Sequence, residues 1–249
     1  MPRYVLEVMY YGTKFNGSQI QGEQPTVQLA LNNTLSTIFR KPVVTYGASR
    51  TDEGVHALCN FYHFDVEVAF DFDLAYRCNA ILPGELAVKK VYKASDDFNV
   101  RFDATSRRYR YRIYHKKDPF KLERGLFFPF KLDMGLLNQT ADIIKEYTHF
   151  ESFSKRNSQS KTFVCSIEKS YWEVVGDELH YVVEGNRFLR GMVRGLVGTQ
   201  LYIARGRGTV ADFRQIIEAK DCTKAFFDVA GFGLYLEQIS YKDGVLVEV

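Results

Sequence analysis

Residues 47–57, Gly-Ala-Ser-Arg-Thr-Asp-Glu-Gly-Val-His-Ala, constrain the fold most, because they place a charged triplet directly before a hydrophobic run. Gly47 and Gly54 allow backbone angles that other residues avoid, so we expect a tight loop leading into a strand. Asp52, with Arg50 two residues away, can be directed into a cleft with its carboxylate ionised. The alternative is that Asp52 caps a turn and Arg50 is solvated, since turns favour Asp and Gly.

A second feature is the alternation of basic and aromatic residues over positions 107–114. A period of two predicts a strand with arginines on one face and mainly aromatic side chains on the other. RNA-binding sheets combine phosphate contacts with rings that stack on bases, although the tyrosines, Tyr111 above all, could instead belong to the core. The two predicted faces are Arg108, Arg110 and Arg112 against Tyr109, Tyr111 and Ile113.

The distribution of charge is more informative than its total. The formal net charge is only +3, which is too small to indicate a nucleic-acid partner. Residues 104–117 and 185–211, however, are rich in Arg and contain no Asp or Glu. These two stretches predict a positive surface on one side of the protein, as binding to a phosphate backbone requires. The alternative is that they form two solvated faces.

The remaining periodicities predict alternating strands and helices. Residues 186–203 are predicted as a helix in which Arg187, Arg190 and Arg194 share a face and three glycines admit another backbone closely. The order of elements predicts an α+β fold in two comparable halves, 1–100 and 101–249, that share a mostly antiparallel sheet. Predicted strands cover residues 3–10, 57–66, 86–91, 107–114, 162–175, 179–184 and 231–241, and further predicted helices follow Thr26, cover 71–81 and 133–147, and follow Thr209.

Three segments resemble the signatures of the tRNA pseudouridine synthase A family. Residues 49–57 are similar to Gly-Arg-Thr-Asp-Ala-Gly-Val-His-Ala, with Ser49 and Glu53 as departures. Residues 107–111, Arg-Arg-Tyr-Arg-Tyr, resemble the second signature, and residues 192–198 resemble the third, Met-Val-Arg-x-x-Val-Gly. A further departure is Ser18, which stands where the family has Trp. The resemblance runs along nearly the whole chain.

The resemblance implies the pseudouridine synthase fold with a central active-site cleft, and Asp52 as a nucleophile that attacks either the sugar or the base. It implies that Tyr109 lies against the target base and that Arg194, with Arg50, pairs with Asp52. The implied reaction isomerises uridine in the tRNA anticodon stem-loop, at about positions 38 to 40, after the base is flipped out. We expect Arg110 and Arg112 to contact phosphates, a homodimer that binds tRNA, and no metal or cofactor.

Two other functions are compatible with parts of the sequence. The chain could be a catalytically inactive RNA-binding module of the same fold, since Ser18 replaces the family Trp. Alternatively, Asp71-Phe72-Asp73 could carry a phosphoryl group with the help of magnesium. Ala75 departs from that pattern, and the segment is better explained as an acidic helix N-terminus.

Composition limits the class of protein further. With 46% hydrophobic and 25% charged residues, the 249-residue chain is typical of a globular protein. The four cysteines lie far apart in the sequence, which argues against a zinc site and a disulfide framework. The start has no apolar signal segment and no stretch approaches the ~18 apolar residues of a membrane span, so we expect a cytoplasmic protein without membrane contact. The cysteines are Cys59, Cys78, Cys165 and Cys222.

Overall fold

The computed structural model describes residues 1–67, 70–156 and 161–249. The strands, in chain order, are β1 Arg3–Tyr10, β2 Tyr46–Gly47, β3 His56–Asp65, β4 Leu86–Ala94, β5 Ser106–Tyr114, β6 Leu126–Phe127, β7 Ile167–Val175, β8 Glu178–Gly185, β9 Leu234–Ser240 and β10 Val247–Glu248. The α-helices are α1 Val27–Phe39, α2 Leu74–Ile81, α3 Met134–Ile144, α4 Met192–Tyr202 and α5 Val210–Glu218.

The chain forms two compact units, Met1–Thr105 with Tyr235–Val249, and Ser106–Leu234. The C-terminal segment belongs to the first unit because β9 pairs with β3, His56 opposite Tyr235, and β10 pairs with β4. The compact units therefore differ from the predicted halves 1–100 and 101–249. Among the described residues, the strand pairs within each unit are antiparallel, apart from β9 with β3 and β6 with β5. The predicted α+β class with mostly antiparallel strands is confirmed.

In the first unit β1 lies between β3 and β4, and its apolar residues other than Met9 are buried. Helix α1 begins where predicted, because the Thr26 hydroxyl accepts a hydrogen bond from the backbone N–H of Leu29 at 3.3 Å. Helix α2 begins in the same way, with the Asp73 carboxylate accepting from the N–H of Tyr76 at 2.9 Å. Asp73 is thus explained by helix capping.

In the second unit β8 lies between β5 and β7. The predicted alternation along β5 is confirmed, since Tyr109, Tyr111 and Ile113 are buried and the intervening arginines are partly exposed. Strand β7 begins at residue 167, later than predicted, and β9 is preceded by a 3-10 turn over Gly231–Gly233. Helix α5 has the predicted Thr209 cap, extended to a capping box in which Asp212 bonds back to the N–H of Thr209.

The predicted helix over 186–203 is wrong in its first part. Gly191 adopts a left-handed backbone angle, φ +74°, and α4 starts only at the next residue. The preceding backbone bonds to other segments: the N–H of Asn186 donates to Ser166 and the carbonyl of Arg190 accepts from Lys155. Arg187 and Arg190 therefore lie outside α4 and do not share a helical face with Arg194. The expected close approach is confirmed at Gly198, where any Cβ would collide with the carbonyl of Phe226.

All four cysteine thiols are free. Burial raises the pKa of Cys59 and of Cys165 to about 11 and that of Cys78 to about 12, so these three thiols stay protonated near neutral pH. In the part of the chain that the structure describes, no helix is long and apolar enough to cross a membrane.

Candidate active site

The segment that carries Asp52 is attached to the rest of the first unit through Thr51 and Ser18. The N–H of Thr51 donates to the Ser18 hydroxyl at 2.8 Å, and the N–H of Ser18 donates to the Thr51 carbonyl at 3.1 Å. Ser18 is only 2% exposed, so both bonds are shielded from water. The residue immediately before Asp52 is therefore fixed by a reciprocal pair of buried hydrogen bonds.

A second set of contacts reaches the same loop from β1 and β3. The hydroxyl groups of Tyr10 and Thr51 are hydrogen-bonded at 2.9 Å. The side-chain amide of Asn60 donates to the Tyr10 hydroxyl and to the carbonyl of Ser49, each at 3.1 Å. Tyr10, Thr51 and Asn60 are all buried, so this network restricts the loop to one arrangement.

The loop then turns sharply after Asp52. The N–H of Val55 donates to the carbonyl of Asp52 at 3.2 Å, and Gly54 has φ +78°, which favours glycine. The predicted conformational role of Gly54 is confirmed, but that of Gly47 is wrong. Gly47 lies in β2 without a positive φ, and a Cβ there would approach the ring of Tyr62 to 2.9 Å. Glycine is needed at position 47 for space.

The end of the loop is held by the ring of His56. Its Nδ1 accepts a hydrogen bond from the N–H of Gly12 at 3.0 Å, which makes Nδ1 the unprotonated nitrogen. The ring packs against Tyr11, with centroids 4.7 Å apart, and against Tyr235 at 4.6 Å. The loop is thus held on both sides of Asp52, whose side chain remains partly exposed, and Arg50 is exposed.

The two tyrosines of the second motif have different surroundings. Tyr111 is completely buried, its hydroxyl donates to the carbonyl of Ala230 at 2.8 Å, and burial raises its pKa. Tyr111 is therefore a core residue. Tyr109 lies at the buried edge of the same face and makes an edge-to-face contact with Phe188, with centroids 5.1 Å apart.

The arginine face of β5 is paired with acids from its neighbours. Arg108 forms an ion pair with Glu184 at 2.8 Å, and Lys169 reaches the same carboxylate at 3.1 Å. Arg110 pairs with Glu173 at 2.6 Å, and its side chain is only 18% exposed. Acids from β7 and β8 thus lie beside a stretch that itself contains none, and they offset part of the positive charge predicted for this face.

The predicted residues are divided between the two units. Arg50 and Asp52 lie in the first, and Tyr109, Arg110 and Arg112 lie on β5 of the second. Arg194, on α4 of the second unit, donates from Nε to the carbonyl of Val229 at 2.8 Å. Within the described residues no three His, Cys, Asp or Glu side chains are grouped as metal ligands.

The roles of the residues that hold the loop, namely Tyr10, Ser18 and Asn60, were not predicted from the sequence. A weak signal was present for Asn60, a polar residue inside the apolar run of β3. Ser18 appeared only as a departure from the family Trp. Its role depends on a hydrogen bond across 33 positions of the chain, which no local pattern reveals.

The class of protein follows from a family model that matches the C-terminal part of the chain. Residues 147–242 match the family model described as tRNA pseudouridine synthase. This range includes Arg194 but not Asp52, so relatives that match over the full length are needed to cover the loop.

Several named proteins match this chain over nearly its full length. Proteins named tRNA pseudouridine synthase A from Parabacteroides distasonis and Bacteroides thetaiotaomicron are 40% and 38% identical to the chain. The first match covers 98% of this chain and 97% of the relative, and the second covers 100% and 94%. The protein of that name from Staphylococcus aureus is 32% identical over 99% of the chain and 93% of its own length. The chain therefore belongs to the tRNA pseudouridine synthase A family.

Proposed function

We propose that this chain converts uridine to pseudouridine in the anticodon stem-loop of tRNA, at about positions 38 to 40, and that Asp52 is the nucleophile. The observation that carries the proposal is the loop of Asp52 in a chain of this family. Its flanking residues are fixed by buried hydrogen bonds, while Asp52 itself stays partly exposed. A binding module has no need of a carboxylate held in this way.

The reaction is an isomerisation, so it consumes no oxidant or reductant. The N1–C1′ bond breaks, a C5–C1′ bond forms, and the proton lost from C5 is balanced by one gained at N1. The carboxylate of Asp52 forms a transient covalent bond and is released unchanged, which divides one difficult step into easier ones. Attack at the sugar and attack at the base both use the same carboxylate.

The other proposed roles follow the family resemblance. Tyr109 stacks on the extruded uracil and relays the proton from C5. Arg194 and Arg50 are charge partners of the Asp52 carboxylate. Arg110 and Arg112 contact phosphates of the RNA. For this contact Arg110 gives up its ion pair with Glu173 and pairs with a phosphate. The phosphate contacts offset the few kcal/mol that base extrusion costs.

The protein is proposed to work in the cytoplasm as a homodimer that holds tRNA across both subunits. The support is the family resemblance, together with the acid-free stretches 104–117 and 185–211, which one subunit does not easily wrap around a tRNA. Light scattering should give twice the mass of the chain. A monomer that modifies tRNA at the full rate would contradict the dimer.

The test of function is tritium release from tRNA labelled at uridine C5, in EDTA and without any added cofactor. The wild-type chain is expected to release the label and Asp52→Asn is not, although both bind the tRNA. Release by Asp52→Asn at the wild-type rate would refute the nucleophile. Binding without release by the wild type, on every tRNA tested, would favour the inactive RNA-binding module.

A further inference from the structure

Beside the loop of Asp52, the first unit has a cavity of about 170 Å³, here called the Phe102 pocket. The ring of Phe102 stands at its edge and is 77% exposed, which is unusual for so large an apolar side chain. Arg50, the exposed neighbour of the Asp52 turn, lines the same cavity, whereas Asp52 does not. Other residues that line the pocket are Gln19, Tyr46, Asn99 and Arg101.

Phe102 is held out by a compact turn. The side-chain carbonyl of Asn99 accepts from the N–H of Arg101 at 3.0 Å and from that of Phe102 at 3.4 Å. The N–H of Phe102 also donates to the backbone carbonyl of Asn99 at 3.1 Å, and the N–H of Asn99 donates to the carboxylate of Asp103 at 2.6 Å. Little backbone entropy remains to be lost when a ligand packs on this ring.

The pocket combines aromatic, cationic and neutral polar groups. The guanidinium of Arg101 lies 5.5 Å from the centre of the Phe102 ring, and Tyr46 adds a second exposed ring, stacked on His63. Two arginines line the cavity, and none of the described residues that line it carries a carboxylate. An unpaired nucleotide requires these groups: a flat π-system for stacking, positive charges for its phosphate, and amides that bind the edge of its base.

We propose that the Phe102 pocket binds an unpaired nucleotide of the RNA substrate, other than the uridine that reacts. The base stacks on Phe102, and Arg101 contacts its phosphate. This inference rests on the proposed function, because it takes tRNA as the substrate. It assigns a second RNA contact on the first unit, separate from Tyr109 and the arginines of β5.

The test measures the affinity for an unmodified tRNA transcript in an Asp52→Asn background, so that no turnover occurs. Phe102→Leu is expected to weaken binding by about 5- to 150-fold, the range for loss of one stacked base, and Phe102→Tyr to retain it. Arg101→Gln should lower the slope of log affinity against log salt by about 0.7. Tyr76→Leu is the matched control, since Tyr76 is 74% exposed in the same unit but lies on α2, beside the acidic 71–73 segment.

In the active chain, Phe102→Leu should raise the KM for tRNA and leave kcat nearly unchanged. The proposed role of the pocket would be overturned if wild type and Phe102→Leu bound tRNA with equal affinity, or if Phe102→Leu and Phe102→Tyr lost affinity equally. Tritium release would still support the proposed function in either case. A loss of affinity that accompanies conversion of a dimer to a monomer would make the ring a subunit contact instead. A wild-type chain that binds no tRNA would overturn both proposals.

Discussion

The loop at residues 47–57 and strand β5 both carry charged family motifs, but their surroundings treat the charges differently. Around the loop, neutral groups form the buried network: Ser18, Tyr10 and Asn60 bind its backbone and the Thr51 hydroxyl. On β5, the arginines meet acids on the adjacent strands. A motif therefore specifies which groups are present, and the neighbouring strands decide whether their charge is available to a ligand.

The largest effect is expected at Asp52, and it tests whether the loop has a single functional carboxylate. Asp52→Asn keeps the shape of the side chain but removes the nucleophile, so tritium release should fall by at least about 10⁴-fold, as for other single catalytic residues. Glu53→Gln, one position away and exposed, is the control and should retain activity. Equal losses in the two variants would mean that the charge of the loop matters and not the position of Asp52.

The next effect concerns the attachment of the loop. Ser18→Ala leaves the buried N–H of Thr51 without its acceptor, which should lower the free energy of unfolding by about 1–3 kcal/mol. A lower kcat should accompany this loss, because Asp52 is the next residue. Urea unfolding and tritium release give the two values. Ser95→Ala removes an exposed hydroxyl from the same unit and should change stability by less than about 0.5 kcal/mol. An equally small effect of Ser18→Ala would contradict the proposed attachment.

Glu184, on β8 beside Arg108 of β5, should matter for stability in a pH-dependent way. Burial acts to raise its pKa, but hydrogen bonds from Arg108 and Lys169 overcome this and lower it below its ordinary value of 4.5. Because its pKa is lowered, ionised Glu184 stabilises the folded state. This stabilisation is fully present above pH 4.5 and is lost as the pH falls through the pKa of the folded state. Glu184→Gln should cost about 1–2 kcal/mol at pH 7 and progressively less in acid, measured by urea unfolding. A pH-independent difference would refute the ionic origin.

The smallest effect tests how the charge of Arg110 is divided between Glu173 and RNA. Glu173→Gln removes the carboxylate that pairs with the Arg110 guanidinium, so tRNA affinity should rise by a few-fold, corresponding to about 1 kcal/mol or less for a partly exposed pair. Arg110→Gln should lower both the affinity and its salt dependence, and should abolish the effect of Glu173→Gln. The measurement is fluorescence anisotropy over a range of salt concentrations. If Arg110→Gln left the salt slope unchanged, Arg110 would be a structural residue of β5.

The parts of the fold that follow from local patterns were predictable. Period-two alternation identified β1 and β5, and the capping residue Thr26 marked the start of α1 correctly. The helix predicted over 186–203 failed at its start because a left-handed glycine, Gly191, and hydrogen bonds to distant segments outweigh the apolar periodicity before residue 192. Gly47 was misjudged for a related reason, since its constraint is the ring of Tyr62 and not its own backbone angle.

By itself the sequence determined the family, the class of fold and the residues proposed for the reaction, because these depend on residue identity and on short spacings. Only the tertiary structure decided how the Asp52 loop is held and which charges on β5 are paired. Ser18 and Thr51 are 33 positions apart, and Arg110 and Glu173 are 63 apart. Hydrogen bonds and ion pairs act over a few ångströms in space, so partners that the fold brings together leave no trace in the local pattern of the chain.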